Sequence, residues 1–139
     1  MNRFATEIDI AAPPDKVWAV LTDVANWPGW NTTVTKVDGA VTLGATITVH
    51  AKISPGRAFP VKVEALDAPT HMIWASDMPM GAFRGERTFT LTATATGTHF
   101  SMVEVYSGWM GFLIERTIPD LNPAFAEAAG CLKARAEGS

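Results

Sequence analysis

Thr88-Phe89-Thr90-Leu91-Thr92-Ala93-Thr94 is the stretch on which the fold turns. Threonines alternate with Phe89, Leu91 and Ala93 without a break, so one face of an extended strand is apolar and the other hydroxylic. A strand of this kind belongs to an antiparallel sheet covered on one side only. Thr96-Gly97 follows at once and reads as a hairpin turn, with a return strand through Phe100 and Met102 to Tyr106. A two-residue turn pairs Ala95 with Thr98, and counting outward sets Leu91 opposite Met102, Phe89 opposite Glu104 and Arg87 opposite Tyr106. All six then share the inward face. Val103 and Val105, apolar on the outer face, leave open a bulge that would reverse the assignment.

The same period of two recurs toward the N-terminus, where Ile47, Val49, Ala51 and Ile53 alternate with Thr46, Thr48, His50 and Lys52. Asp38-Gly39, Ser54-Pro55-Gly56 and Ala68-Pro69-Thr70 supply turns, so residues 32–107 read as six strands in an antiparallel meander. Phe4 to Ala11 is a further half-buried strand. Pro13-Pro14-Asp15 opens a helix whose buried stripe is Val17, Val20, Leu21 and Val24, and Asn26-Trp27-Pro28-Gly29-Trp30 ends it, with room for a second short helical turn. Beyond Gly108 the period returns to that of a helix, with Leu121, Phe125, Ala128 and Leu132 on one stripe. That helix is the natural cover for the apolar sheet face. Pro119 and Pro123 interrupt it, so it is kinked or begins late, near Pro123 with Asn122 as cap, and residues 112–118 form a separate turn. Phe125, Ala128, Ala129 and Leu132 are expected against the sheet.

At 139 residues the chain has the length of one domain, and one core suffices. It is 47% hydrophobic and 18% charged, a globular and somewhat apolar composition. A net charge of -3 without a Lys/Arg cluster argues against nucleic acid as a partner. Cys131, the only cysteine, has no disulfide partner within the chain and fits a reducing compartment. The opening residues reach Glu7 before any apolar run, and no stretch has the length of a membrane-spanning helix, so a cytoplasmic protein without stable membrane insertion is expected.

Ala12-Pro13-Pro14-Asp15-Lys16-Val17-Trp18, Gly85-Glu86-Arg87-Thr88-Phe89-Thr90-Leu91, Glu104-Val105-Tyr106-Ser107-Gly108 and Leu132-Lys133-Ala134-Arg135-Ala136-Glu137, in this order of elements, resemble the START-like or SRPBCC superfamily across nearly the whole chain. The resemblance implies an α+β helix-grip fold over residues 1–139. In it, a curved antiparallel sheet of about seven strands wraps a long C-terminal helix, with two short helices after the first strand. It also implies a cavity between sheet and helix for a lipid, polyketide, sterol-like or aromatic ligand, without implying catalysis.

Motifs for chemistry are sparse. His50, His71 and His99 are isolated and lack the spacing of a zinc site. No serine lies in a Gly-x-Ser-x-Gly elbow, and the glycines of Gly81-Ala82-Phe83-Arg84-Gly85 read as a turn between strands, not a phosphate cradle. No metal or cofactor is called for. Trp18, Trp27 and Trp30 read as packing, as do Trp109, Met110 and Phe112, whereas Trp74 alternates with Met72 and Ser76 on a face that serves either core or ligand. The candidate ligand-binding residues are Trp74, Arg87, Phe89, Leu91, Phe100, Met102, Glu104, Tyr106, Phe125 and Leu132. Arg87, Glu104 and Tyr106 are either the polar end of a ligand pocket or, for the first two, an ion pair that satisfies only itself.

Binding of a small apolar or aromatic molecule is the leading functional expectation. An aromatic polyketide cyclase or dehydratase with Glu104 as the candidate catalytic acid or base is the alternative. A co-chaperone or other interaction module, its protein partner unspecified, is a third reading and requires an exposed apolar patch.

Overall fold

The computed structural model describes residues 3–52, 56, 58–111 and 120–138. The expectations at Ile53, Phe112, residues 112–118 and Pro119 lie outside them. β1 (Arg3–Ile10) leads into α1 (Pro14–Thr22) and a 3-10 helix (Val24–Gly29). Six strands follow: β2 (Val34–Asp38), β3 (Thr46–Ala51), β4 (Phe59–Asp67), β5 (His71–Asp77), β6 (Arg84–Thr94) and β7 (Gly97–Ser107). The chain closes on α2 (Asn122–Gly138). Among the described residues the strands form one antiparallel sheet in the order β1-β7-β6-β5-β4-β3-β2, the expected meander with β1 added beside β7.

Local chemistry accounts for the element ends. The Pro13 carbonyl accepts the N–H groups of Lys16 and Val17, and Pro14 sits in the first turn of α1, where its missing donor has no partner to lose. Of the expected stripe, Val17, Leu21 and Val24 are buried, while Val20 is half-buried against the same core. α2 begins late: the Leu121 carbonyl accepts the Phe125 N–H at 2.9 Å, so Pro123 falls in a first turn that tolerates it. Asn122 is not the cap. Its Oδ1 accepts the Ala5 N–H of β1 at 3.0 Å, while Asp120 Oδ1 accepts the Asn122 N–H at 3.0 Å, because β1 runs close enough to draw the amide away from its own helix.

Alternation in β6 and β7 is as expected. Phe89, Leu91, Phe100 and Met102 are buried, and none of Thr88, Thr90, Thr92 and Ser101 is. The register is not: Thr94 pairs with Gly97, which sets Leu91 opposite Phe100, Phe89 opposite Met102, Arg87 opposite Glu104 and Gly85 opposite Tyr106. The turn is Ala95-Thr96, two residues of pairing away from the expected register. Gly97 is spent elsewhere, since a Cβ there would lie 2.1 Å from the Ile10 carbonyl oxygen. A bulge between Val63 and Ala65 moves the inward phase of β4 from Val63 to Leu66 and bends the sheet. Gly85 lies within β6, not in the turn before it, where Gly81 supplies the positive φ of 67°.

Trp109 departs from the expected packing. It is 66% exposed, with its Nε1 donating to the Met80 carbonyl at 3.1 Å, because the chain leaves the sheet at Gly108. On the outer sheet face His99 Nδ1 lies 2.7 Å from Asp9 Oδ1 and its Nε2 3.7 Å from Glu7 Oε2. The Asp9 carboxylate, bonded to the ring, holds the imidazole above its ordinary 6.5. A pKa raised on folding adds stability below the unfolded value and loses it as pH rises through the folded one. The gap in urea midpoint between the protein and His99→Gln should therefore be wider at about pH 5 than at about pH 9. A gap of equal size at both would show that the pairing contributes nothing.

Candidate functional site

Strand register arranges the inward face in rows. Ser76, Gly85 and Tyr106 form one; Val63, Trp74, Arg87, Glu104 and Phe4 the next; Met72, Phe89, Met102 and Thr6 a third. Between these rows and α2 lies a cavity of about 660 Å³. Trp74, Arg87, Phe89, Phe100, Met102, Glu104, Tyr106, Phe125 and Leu132 line it. Leu91 does not. It is buried nearer the Ala95-Thr96 turn, toward the end of the sheet where α1 packs against β6 and β7.

The polar groups gather on the middle row. Arg87 Nη2 donates to Glu104 Oε2 at 3.0 Å, with the two side chains 25% and 14% exposed, and the guanidinium carbon stands 4.8 Å from the centre of the Phe125 ring on α2. The cation is thus held by a carboxylate and an aromatic face at once. Tyr106 is buried with its ring centre 5.8 Å from Phe4 and 5.2 Å from Phe83. It lies over Gly85, where a Cβ would come within 3.1 Å of the ring. Burial, and then the charge of Glu104, push the phenol well above its ordinary 10.0, against the opposing pull of Arg87. At neutral pH Tyr106 is therefore a proton-bearing donor and not a phenolate.

An aromatic wall adjoins this row. Trp74 stacks on Trp27 at 5.5 Å with 26° between planes and meets the Phe89 edge at 4.9 Å, and Trp30 packs on Trp27 at 6.0 Å. Trp27 Nε1 donates to the Leu21 carbonyl at 2.9 Å, which pins the 3-10 helix to α1. Trp27 and Trp30 line the cavity, a role the sequence reading gave to neither. The run Trp27-Pro28-Gly29-Trp30 was the available signal, but a linear sequence does not show that the 3-10 helix folds over β5. Asn31, also on the wall and buried, turns its Oδ1 to the Thr33 N–H at 3.0 Å and the Thr33 hydroxyl at 2.6 Å. At the rim the Thr32 hydroxyl donates to the Glu127 carboxylate, tying the loop before β2 to α2.

No group of three or more His, Cys, Asp or Glu among the described residues is arranged to hold a metal ion. His50 and His71 each face one carboxylate, Asp38 and Asp67, and His99 faces two, Asp9 and Glu7. No helix among the described residues is long and apolar enough to cross a membrane.

A curled antiparallel sheet, a long closing helix and a cavity between them define a helix-grip protein. The chain belongs to the polyketide cyclase / dehydrase and lipid transport family, whose model matches residues 1–137. Among solved structures it is similar to a protein from Mesorhizobium loti, at 26% identity and a TM-score of 0.63, covering 99% of this chain and 95% of that one. It is also similar to the Aha1 dimer from Colwellia psychrerythraea, at 25% identity and a TM-score of 0.70, covering 99% and 97%. The Zhui aromatase/cyclase of a Streptomyces species shares the fold, with 13% identity, a TM-score of 0.75 and coverage of 98% and 93%. No curated protein matches the sequence.

Proposed function

We propose that the protein binds a small hydrophobic or aromatic molecule between the sheet and α2. The observation that carries this reading is the cavity of about 660 Å³, walled by aromatic and aliphatic side chains with a few polar groups on one row. Small-molecule sites commonly have this size and make-up, at roughly 300–1,000 Å³. Membership in a family described by polyketide chemistry and lipid transport supports the same ligand class. The candidate contacts are the nine lining residues of the sequence reading together with Trp27 and Trp30. A single cysteine and a net charge of -3 are in keeping with a reducing compartment and no nucleic-acid partner.

The expected result is thermal stabilisation by fatty acids, sterols or polycyclic aromatics. Ligand at a hundred times its Kd adds about 2.7 kcal/mol, which a melting screen reads easily. If no compound in a broad apolar library moves the melting curve, the reading fails.

One observation favours a second, enzymatic reading: Glu104 and Tyr106 both border the cavity, a carboxylate beside a buried phenol. In that case Glu104 would move a proton on a carbonyl substrate while Tyr106 or Arg87 steadied the enolate. Glu104→Gln would then abolish turnover and preserve affinity. Against it, the Glu104 carboxylate is already engaged by Arg87.

A further inference from the structure

Trp74 Nε1 stands out among the buried polar atoms. It is the one buried side-chain nitrogen or oxygen among the described residues that has no hydrogen-bond partner. The residue is 2% exposed and lines the cavity, and no group of the described residues accepts from its N–H. Buried donors are nearly always paired, and one left bare is unfavourable, so an unpaired N–H on a ligand-sized cavity calls for an acceptor that arrives from outside the chain. Its counterpart on the same wall, Trp27, has the Leu21 carbonyl.

The neighbouring groups say what kind of molecule brings that acceptor. Trp74 and Arg87 are direct cross-strand partners on the inward face, so their side chains rise side by side from β5 and β6. Both are donors. Of the acceptors on this wall, Glu104 Oε2 takes Arg87 and Asn31 Oδ1 takes both donors of Thr33. An arginine carries five N–H groups and one is spent on Glu104, which leaves the guanidinium able to bond a second oxygen. Around these donors stand aromatic faces, Trp27 and Trp74 stacked and Phe89 edge-on, which suit a flat frame.

We infer that the ligand is a flat aromatic molecule bearing an oxygen acceptor, a carbonyl or a carboxylate, received by the Trp74 indole N–H and the Arg87 guanidinium. The inference rests on the binding reading above and narrows it, since a saturated hydrocarbon chain leaves both donors bare. Because Nε1 is buried in the free protein, the contact requires the indole to turn its N–H toward the cavity as the ligand enters, while Glu104 holds Arg87 on the row.

The test compares 2-acetylnaphthalene with 2-ethylnaphthalene, which share a frame and differ by the oxygen, with 2-naphthoate as a charged third arm. Calorimetry on the whole chain should give the ketone a Kd about tenfold or more below that of the hydrocarbon, the gain expected when an unpaired donor finds its acceptor. In Trp74→Phe the ratio of the two Kd values should fall to within about threefold of unity, whatever the absolute affinities. Should that variant not fold, the indole Nε1–H proton resonances of the unmodified protein give the same answer: the Trp74 signal moves downfield with the ketone and not with the hydrocarbon. Tighter binding of naphthoate than of the ketone assigns the oxygen to a carboxylate facing Arg87, and the reverse order to a neutral carbonyl. Equal affinities for ketone and hydrocarbon, with an unmoved Trp74 signal, overturn this inference and leave the cavity a binding site for hydrocarbons. Binding of none of the three overturns it together with the reading on which it rests.

Discussion

Gly97→Ala should destabilise the protein by about 3 kcal/mol or more, the upper end of what overpacking does. A Cβ at this position would lie 2.1 Å from the Ile10 carbonyl oxygen, 2.9 Å from the Ala12 nitrogen and 3.0 Å from the Ala11 Cα. All three are backbone atoms of the link between β1 and α1, so no flexible side chain can swing aside. The link is held in place from the same strand: Ile10 pairs with Thr98, and the buried Thr98 hydroxyl donates to the Ala12 carbonyl at 2.7 Å. An added methyl must therefore push the two strands apart or break that bond. Gly130→Ala is the internal control. Gly130 is exposed in the interior of α2, and a Cβ there meets nothing within 4 Å. Alanine should raise stability by about 0.8–1 kcal/mol through helix propensity alone. Urea unfolding of the two variants should move the midpoint in opposite directions, and a Gly97→Ala protein as stable as its parent would refute the close approach.

Removing one member of the Arg87–Glu104 pair is the other large effect, at about 2–3 kcal/mol for Arg87→Met. Breaking a fully buried ion pair takes about 3–5 kcal/mol because the remaining charge is left without a partner, and the partial exposure of both side chains here reduces that figure. Arg87→Met also removes the cation from the Phe125 ring and so loosens the contact between sheet and α2. Glu104→Leu strands the guanidinium in the same way. The double variant, with both charges gone and similar volume restored, should be less destabilised than the sum of the two by about 1 kcal/mol or more. Additive losses in that cycle would mean that the two side chains are neighbours without coupling.

These two sites also show where local pattern stops being informative. Strict alternation in residues 88–94 determined which side chains face inward, and it did so correctly even though the assumed turn was misplaced. A slip of two residues preserves parity, so Phe89, Leu91, Phe100, Met102, Arg87 and Glu104 kept their face while every partner across the hairpin changed. Glu104 thereby came to stand opposite Arg87 and not Phe89. The turn was misplaced because glycine next to threonine has the chemistry of a hairpin loop, whereas here the glycine serves a close approach to residues 10–12. That contact spans more than eighty positions, as the Thr98 to Ala12 bond with its separation of 86 does, and no short window carries it.

The sequence by itself determined the order of strands and helices, the inward faces of β3, β6 and β7 and the stripe of α2. Those properties follow from periods of two and 3.6 that each segment carries alone. Only the tertiary structure decided the register of β6 and β7 and the bulge at Val63 that hands the inward face of β4 to Leu66. It also decided that Asn122 serves β1 and not its own helix, and that Trp27 and Trp30 stand on the cavity wall. Each of these depends on which distant segment arrives alongside, and the geometry of that arrival is a property of the closed sheet and helix together.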